Sequence, residues 1–238
     1  MATLKATWII HSGFILEYSD AGKTVKVAID PFLQPVSDIK DKWLEKLSDI
    51  DLLLITHGHF DHIGDACEVL KKAPNATYVG IYEIYNHINQ NCGVKNEGVG
   101  MNIGGTWTFK KNGLELPITM VHATHSSDIG APTGFIVRFP GFPVYHPGDT
   151  GVFKDMELFG ELYGVKLALL PIGSHFTMGI EEAIYATKLI KPKYVIPMHY
   201  NTFPVIEADP YEFKKRVEDE TETQVIVLKP GESYTFQI

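Results

Sequence analysis

Apolar residues fall in short, β-branched runs: VKVAI (25–29), LLLIT (52–56), ATYVGIY (76–82), LPITMVHA (116–123), GFIVRF (134–139), FPVYH (142–146), VKLALLPI (165–172), KYVIPM (193–198) and TQVIVL (223–228). Runs of this length, bounded by turn residues, predict strands. Between them, residues 63–73, 82–91, 153–163, 179–190 and 209–220 carry the three-and-four spacing that predicts helices. The order is mixed, strands first in hairpin-like succession and then helices interleaved, which is the order of an α/β protein with substantial sheet. No internal repeat, low-complexity stretch or linker rich in Pro, Ser or charge interrupts it, so residues 1–238 are expected to fold as one domain. The glycine-rich GVKNEGVGMNIGG (93–105) does not pass from a strand directly into a helix, as a phosphate-cradling loop does. It predicts a flexible turn or hairpin.

Composition narrows the function classes. Hydrophobic residues make up 45% and charged residues 21% of the chain, ordinary globular values, and no apolar stretch reaches the roughly 20 residues of a membrane span. No membrane association is expected. The opening MATLKATWIIHSGFILEYSD lacks the basic start, apolar middle and small-residue cleavage site of a secretory signal, so the cytoplasm is the expected location. Cys67 and Cys92 are the two cysteines, in no framework spacing; neither a disulfide scaffold nor a thiolate zinc site is expected, and Cys67 fits the core side of a helix. A net charge of −8 without a Lys/Arg cluster argues against a nucleic-acid partner and for a small-molecule substrate. A homo-oligomer is left open.

The strand ends carry the chemistry. VKVAI runs into Asp30, LLLIT into THGHFDH with His57, His59, Asp61 and His62, LPITMVHA into His125, FPVYHPG into Asp149, and KYVIPM into His199. Binding groups collect at the carboxyl ends of strands in open sheets, because loops there vary on a rigid base. Imidazole and carboxylate together suit zinc, iron or manganese. Five histidines and two aspartates exceed one tetrahedral ion, whereas a pair of ions about 3.5 to 4 Å apart would use them all in a hydrolysis. His125 is preferred to His122 because it lies past the strand end beside the polar SSD. His87, in EIYNHINQN, has no ligand spacing and is expected on an ordinary helix.

THGHFDH resembles the HxHxDH signature of the metallo-β-lactamase superfamily, with HATHSS, YHPGDTGVF and IPMHYNTFP continuing the match. LPIGSHFTMG and HPGDTGVFKDME are similar to the UPF0173 metal-dependent hydrolase group, relatives of the ascorbate-6-phosphate lactonases. The resemblance runs from HSGF to LKPGESY. It implies an αββα sandwich, two mixed sheets flanked by helices. It also implies that His57, His59 and His125 hold one metal and Asp61, His62 and His199 a second, with Asp149 and a hydroxide between them. The two divalent ions are expected to be zinc, with manganese or iron as substitutes. Asp30 would either accept a hydrogen bond from a ligand imidazole or close the turn before Pro31. His11, His146 and His175 lie in or beside matched segments, where each would reach substrate or donate a proton, His146 joining Asp61 and Asp149 as the catalytic set.

The expected activity is hydrolysis of a lactone, ester or phosphodiester. Three other readings compete: a diiron redox protein of the same fold, a nuclease, and a metal-dependent binding protein without catalysis. The redox proteins place a carboxylate where His59 stands, and nucleases need basic surface that this acidic chain lacks. Phe176, Phe203 and Pro204 near the last motifs line either the pocket or the core.

Overall fold

The computed structural model describes residues 1–238. Its first strands, β1 (Thr3–Ile10), β2 (Gly13–Asp20) and β3 (Lys23–Ile29), form an antiparallel meander. Then β4 (Leu52–Leu54), β5 (Thr77–Ile81) and β6 (Gly98–Met101) add in parallel. The second half repeats the scheme: β7 (Thr106–Lys111), β8 (Leu114–His122), β9 (Thr133–Phe139) and β10 (Phe142–His146) are antiparallel neighbours. They are followed in parallel by β11 (Leu167–Pro171), β12 (Tyr194–Met198) and β13 (Gln224–Val225). Finally β14 (Ser233–Gln237) returns to the first sheet beside β1. The result is two seven-stranded mixed sheets, β14-β1-β2-β3-β4-β5-β6 and β13-β12-β11-β10-β9-β8-β7. The repeat is one of arrangement, invisible in the residues themselves.

Parallel neighbours require crossovers, and helices supply them. They are α1 (Lys40–Leu47), which follows a 3-10 segment (Gln34–Ile39), α2 (Phe60–Ile63), α3 (Ala66–Lys72) and α4 (Tyr82–Asn91) in the first half, and α5 (Met156–Tyr163), α6 (Ile180–Ile190) and α7 (Pro210–Glu220) in the second. Every residue of β4, β5 and β11 is buried, as expected for strands covered on both faces. The sheets pack face to face with helices outside, the expected αββα sandwich, around one continuous cluster of 68 buried apolar residues. No helix is long and apolar enough to cross a membrane.

All nine expected strands and five expected helical segments are present, the segment 63–73 being split between α2 and α3. Strands β1, β2, β6, β7 and β14 and helix α1 escaped the pattern. Strand β1 alternates apolar with Thr and Lys, β14 is mostly exposed at the sheet edge, and five of the eight residues of KDKWLEKL are charged. The glycine-rich segment is not merely a turn, since Gly98–Met101 pairs with β5 as a strand. Cysteine chemistry is corrected too: Cys67 on α3 and Cys92 beyond α4 form a disulfide, so Cys67 is no simple core thiol. Their separation of 25 residues carries no framework signal; the β5 crossover is what brings the two together.

Candidate metal centre

The chain leaves β4 through Thr56, whose amide and hydroxyl both donate to the Asp30 carboxylate, at 2.8 and 2.5 Å. Asp30 is fully buried and sits in the left-handed region at φ 45°. It also accepts from His62 Nδ1 at 2.7 Å. Because the single Thr56 hydroxyl proton is committed to Asp30, the 3.0 Å contact from Thr56 Oγ1 to His57 Nδ1 has the imidazole as donor. One carboxylate therefore sets two imidazoles with Nδ1 protonated and Nε2 turned into the site. Asp30 is thus an orienting group rather than only a turn residue.

Two clusters result. His57, His59 and His125 bring ring nitrogens within 4.8 Å of one another, and so do the ligand atoms of Asp61, His62, His199 and His11. Asp149 lies between them: Oδ1 is 3.1 Å from His62 Nε2, and Oδ2 is 3.0 Å from His199 Nε2 and 3.5 Å from His125 Nε2. His11, from the β1–β2 turn, is fully buried, with Nε2 2.9 Å from Asp61 Oδ2 and Nδ1 3.0 Å from Thr202 Oγ1. Its own carbonyl accepts from the His199 amide at 3.0 Å, which ties the first turn to the end of β12. The loops are locked elsewhere as well. Thr133, opening β9, donates through its amide and hydroxyl to Thr56 O, joining the two sheets beneath the site.

Close backbone approaches require glycine around the site, as two positions show. A Cβ on Gly58, inside the HGH pair, would lie 2.6 Å from Ile129 Cβ and 2.7 Å from Ile129 N. Gly148, just before Asp149, has φ 64° and would meet Thr133 O at 2.6 Å.

Charge states match a cation site. Burial, with the His62 imidazole nearby, lowers His57 to about 3, and burial lowers His11 to about 4. Burial lowers His125 as well. Burial would also lower His62, but Asp149 and Asp30 on either side hold it well above its ordinary value. Burial favours the neutral acid at Asp61 and Asp149, yet the histidines around them keep both carboxyls ionised below the usual range. His62 Nε2, His199 Nε2 and Asp149 Oδ1 are buried with no hydrogen-bond partner, grouped around the Asp149 carboxylate. Neutral imidazoles, ionised carboxylates and orphaned donor atoms are the set a divalent cation satisfies, and a cation would displace the proton from His62.

The remaining candidates separate. His122 lies apart, its ring against Phe153 at 4.3 Å, while His125 joins the cluster. His146 is fully buried with Nε2 donating to Ser12 O at 2.8 Å and Nδ1 accepting from the Gly148 amide at 3.1 Å. With both nitrogens committed to backbone it has none for a substrate, which corrects its expected catalytic place. His175 is exposed and outside the cavity lining, its ring against Phe176. His87 stays on α4 away from the cluster. Above Asp149 a cavity of about 520 Å³ opens, lined by His59, Phe60, Asp61, His125, Ser126, Asp149, Phe176, His199, Phe203 and Val205. Pro204 is not in its wall. Phe60 and Val205 were not singled out from the residues alone; Phe60 could have been, since it lies inside THGHFDH.

A sandwich of two mixed sheets with this His/Asp cluster at one edge defines a class of metal-binding enzymes, and the family model for the beta-lactamase superfamily domain matches residues 20–200. A UPF0173 metal-dependent hydrolase of Ignicoccus hospitalis is 46% identical over 240 residues, covering 100% of both chains. Another, from Pyrococcus abyssi, is 49% identical over 238 residues, covering 96% of this chain and 98% of its own. The solved structure of Igni18, a metallo hydrolase from Ignicoccus hospitalis, superposes with a TM-score of 0.86 at 44% identity, covering 99% of each chain. The chain belongs to the UPF0173 metal-dependent hydrolases of the metallo-β-lactamase superfamily.

Proposed function

We propose that the chain is a hydrolase of small molecules that works with two divalent ions, zinc by preference and manganese or iron as substitutes. His57, His59 and His125 would hold one; Asp61, His62 and His199 the other, with Asp149 shared. The observation that carries this reading is Asp149, which reaches His62 and His199 with one oxygen each and His125 with the second, all within 3.5 Å. When bound, a pair of such ions acidifies water and polarises the bond to be cleaved. The chain's own residues do the rest. Asp149 and Asp61, kept ionised by their histidines, accept hydrogen bonds from water and orient it. His11 holds Asp61 through its Nε2–H, and Thr202 holds His11. Asp30 and Thr56 fix the tautomers of His62 and His57. The acidic charge of −8 supports a small substrate over nucleic acid, and the cytoplasm remains the proposed location although a disulfide is uncommon there.

The test is elemental analysis of the purified, metal-reconstituted protein together with a panel of esters, lactones and phosphodiesters. Two equivalents of metal, falling toward one in His57→Ala/His59→Ala with loss of turnover, is the expected outcome. Trace metal in the parent, or turnover unchanged in the double variant, would sink the proposal.

A further inference from the structure

The cavity over Asp149 is polar at its floor and mostly apolar at its rim, where Ser126 is the exposed polar side chain. Phe60, Phe176 and Val205 stand 63%, 52% and 54% exposed at its rim, and Phe203 is half-buried beside them. They come from three separate connections, after β4, β11 and β12, with Phe60 opening α2. Apolar side chains left in water on converging loops mark a contact surface rather than a packing accident. The loops are also built to hold them there. Ser174 and His175 take left-handed conformations, φ 58° and 57°, with Ser174 N donating to Met178 O at 3.0 Å and Met178 N to Thr150 O at 2.9 Å, which presents Phe176 outward. In the loop after β12, Asn201 donates its amide to Ile206 O at 2.9 Å and accepts from Ala208 N at 2.9 Å, which closes the segment carrying Phe203 and Val205. Buried Phe32 backs both Phe60 and Phe203, ring centroids 5.8 and 6.4 Å away. Nothing in the lining is Lys or Arg, and its two charged side chains are the carboxylates Asp61 and Asp149. A phosphoryl group outside the reacting centre would find no guanidinium or ammonium to bind it.

We propose that this cavity selects an uncharged carboxylic ester or lactone bearing an aliphatic or aryl group next to the cleaved bond, and rejects substrates that carry a phosphoryl group on that side chain. The inference rests on the hydrolase reading above and adds the substrate class to it. Cleavage forms a bond from the water oxygen to the acyl carbon and breaks the acyl C–O bond. One water proton goes to the departing alcohol, leaving a carboxylic acid; no oxidant or reductant is involved. The apolar group would lie on Phe60, Phe176 and Val205 while the acyl carbon faces the water that Asp149 and Asp61 orient.

Two measurements on the metal-reconstituted full chain test this. The first is kcat/KM for 4-nitrophenyl acetate, butyrate, hexanoate and octanoate against 4-nitrophenyl 4-(phosphonooxy)butanoate and 6-(phosphonooxy)hexanoate, whose phosphoryl group lies away from the cleaved bond. The second is calorimetric affinity for the corresponding straight-chain carboxylates. Both are expected to rise about three- to fourfold per added methylene until the cavity is filled. The phosphorylated probes should lie at least about a hundredfold below octanoate in kcat/KM, the scale of losing the chain-length gain and leaving a charge unpaired. Phe176→Ala/Val205→Ala should flatten the chain-length dependence at unchanged metal content and melting temperature. Turnover of esters with no chain-length dependence, a preference for the phosphorylated probes, or a dependence that survives the double variant would each overturn the apolar selection and leave the hydrolase reading intact. Carboxylates that bind with the expected dependence, in a protein that cleaves none of the probes, would support the apolar selection while sinking the hydrolase reading.

Discussion

Asp30 touches no substrate and none of the cavity, yet three hydrogen bonds converge on it and two imidazoles take their orientation from it. Replacing it with Asn would put an amide where His62 Nδ1 and the Thr56 hydroxyl both need an acceptor. Asp30→Asn is expected to lower metal affinity about 10- to 100-fold, measured by chelator competition; an unchanged affinity would show that the imidazoles orient without it. His11 acts from the other side, through Asp61. His11→Ala leaves Asp61 without its donor at 2.9 Å, so metal in the cluster of Asp61, His62 and His199 should be lost before metal in the His57 cluster, visible as stepwise release under chelator. Simultaneous release would contradict that order. At this scale the HxHxDH run was legible because its spacing is unusual on its face. Asp30 was legible as one of two alternatives, and its contact with His62 decides between them; the places of His11 and His146 were not, since each depends on which backbone or carboxylate stands opposite, and His146 turned out to have both nitrogens held by Ser12 and Gly148.

Among the elements, the turn from β4 into α2 is tightly fitted. Gly58→Ala would push a Cβ to 2.6 Å from Ile129 Cβ, against backbone as well as side chain, so the loop carrying Ser126 to Ile129 must move. A cost of about 1–3 kcal/mol in urea unfolding is expected, with weakened metal retention from the displaced His57 and His59. A variant as stable and as fully loaded as the parent would show that the loop yields freely. The disulfide tests a different link. Joining Cys67 and Cys92 closes a span of 25 residues, and Cys67→Ser/Cys92→Ser is expected to lose about 3 kcal/mol in denaturant unfolding. Thiol titration that finds two free cysteines without reductant would contradict the bridge itself. Central strands such as β5 and β11 were legible because burial on both faces makes them uniformly apolar. Strand β14, mostly exposed at a sheet edge, and α1, rich in charge, owe their state to neighbours rather than to pattern.

For the whole molecule, the site makes stability depend on metal and pH together. In the metal-free protein His57 and His11 titrate at about 3 and about 4 instead of 6.5. As pH falls below 6.5 the unfolded chain takes up protons that these buried rings refuse, so stability drops. His62, raised well above 6.5, has the opposite sign: its contribution is complete below 6.5 and is lost as pH rises above it. Metal-free protein should therefore melt highest near neutrality and lower at pH 5, by calorimetry in chelator, and a melting temperature that climbs toward pH 5 would refute this balance. Adding zinc at pH 7 should raise the melting temperature, because ions bind the folded site and not the dispersed ligands. The order of residues by itself determined the alternation of strands and helices, the His/Asp groups at strand ends and the kinship that follows from them, because these are local patterns and spacings. Only the tertiary structure decided that His11 completes one of the two clusters, that His146 braces the backbone, and that Phe60, Phe176 and Val205 share one rim. Those are meetings of residues up to about two hundred positions apart in the chain, set by how two sheets close on each other, and no local pattern records them.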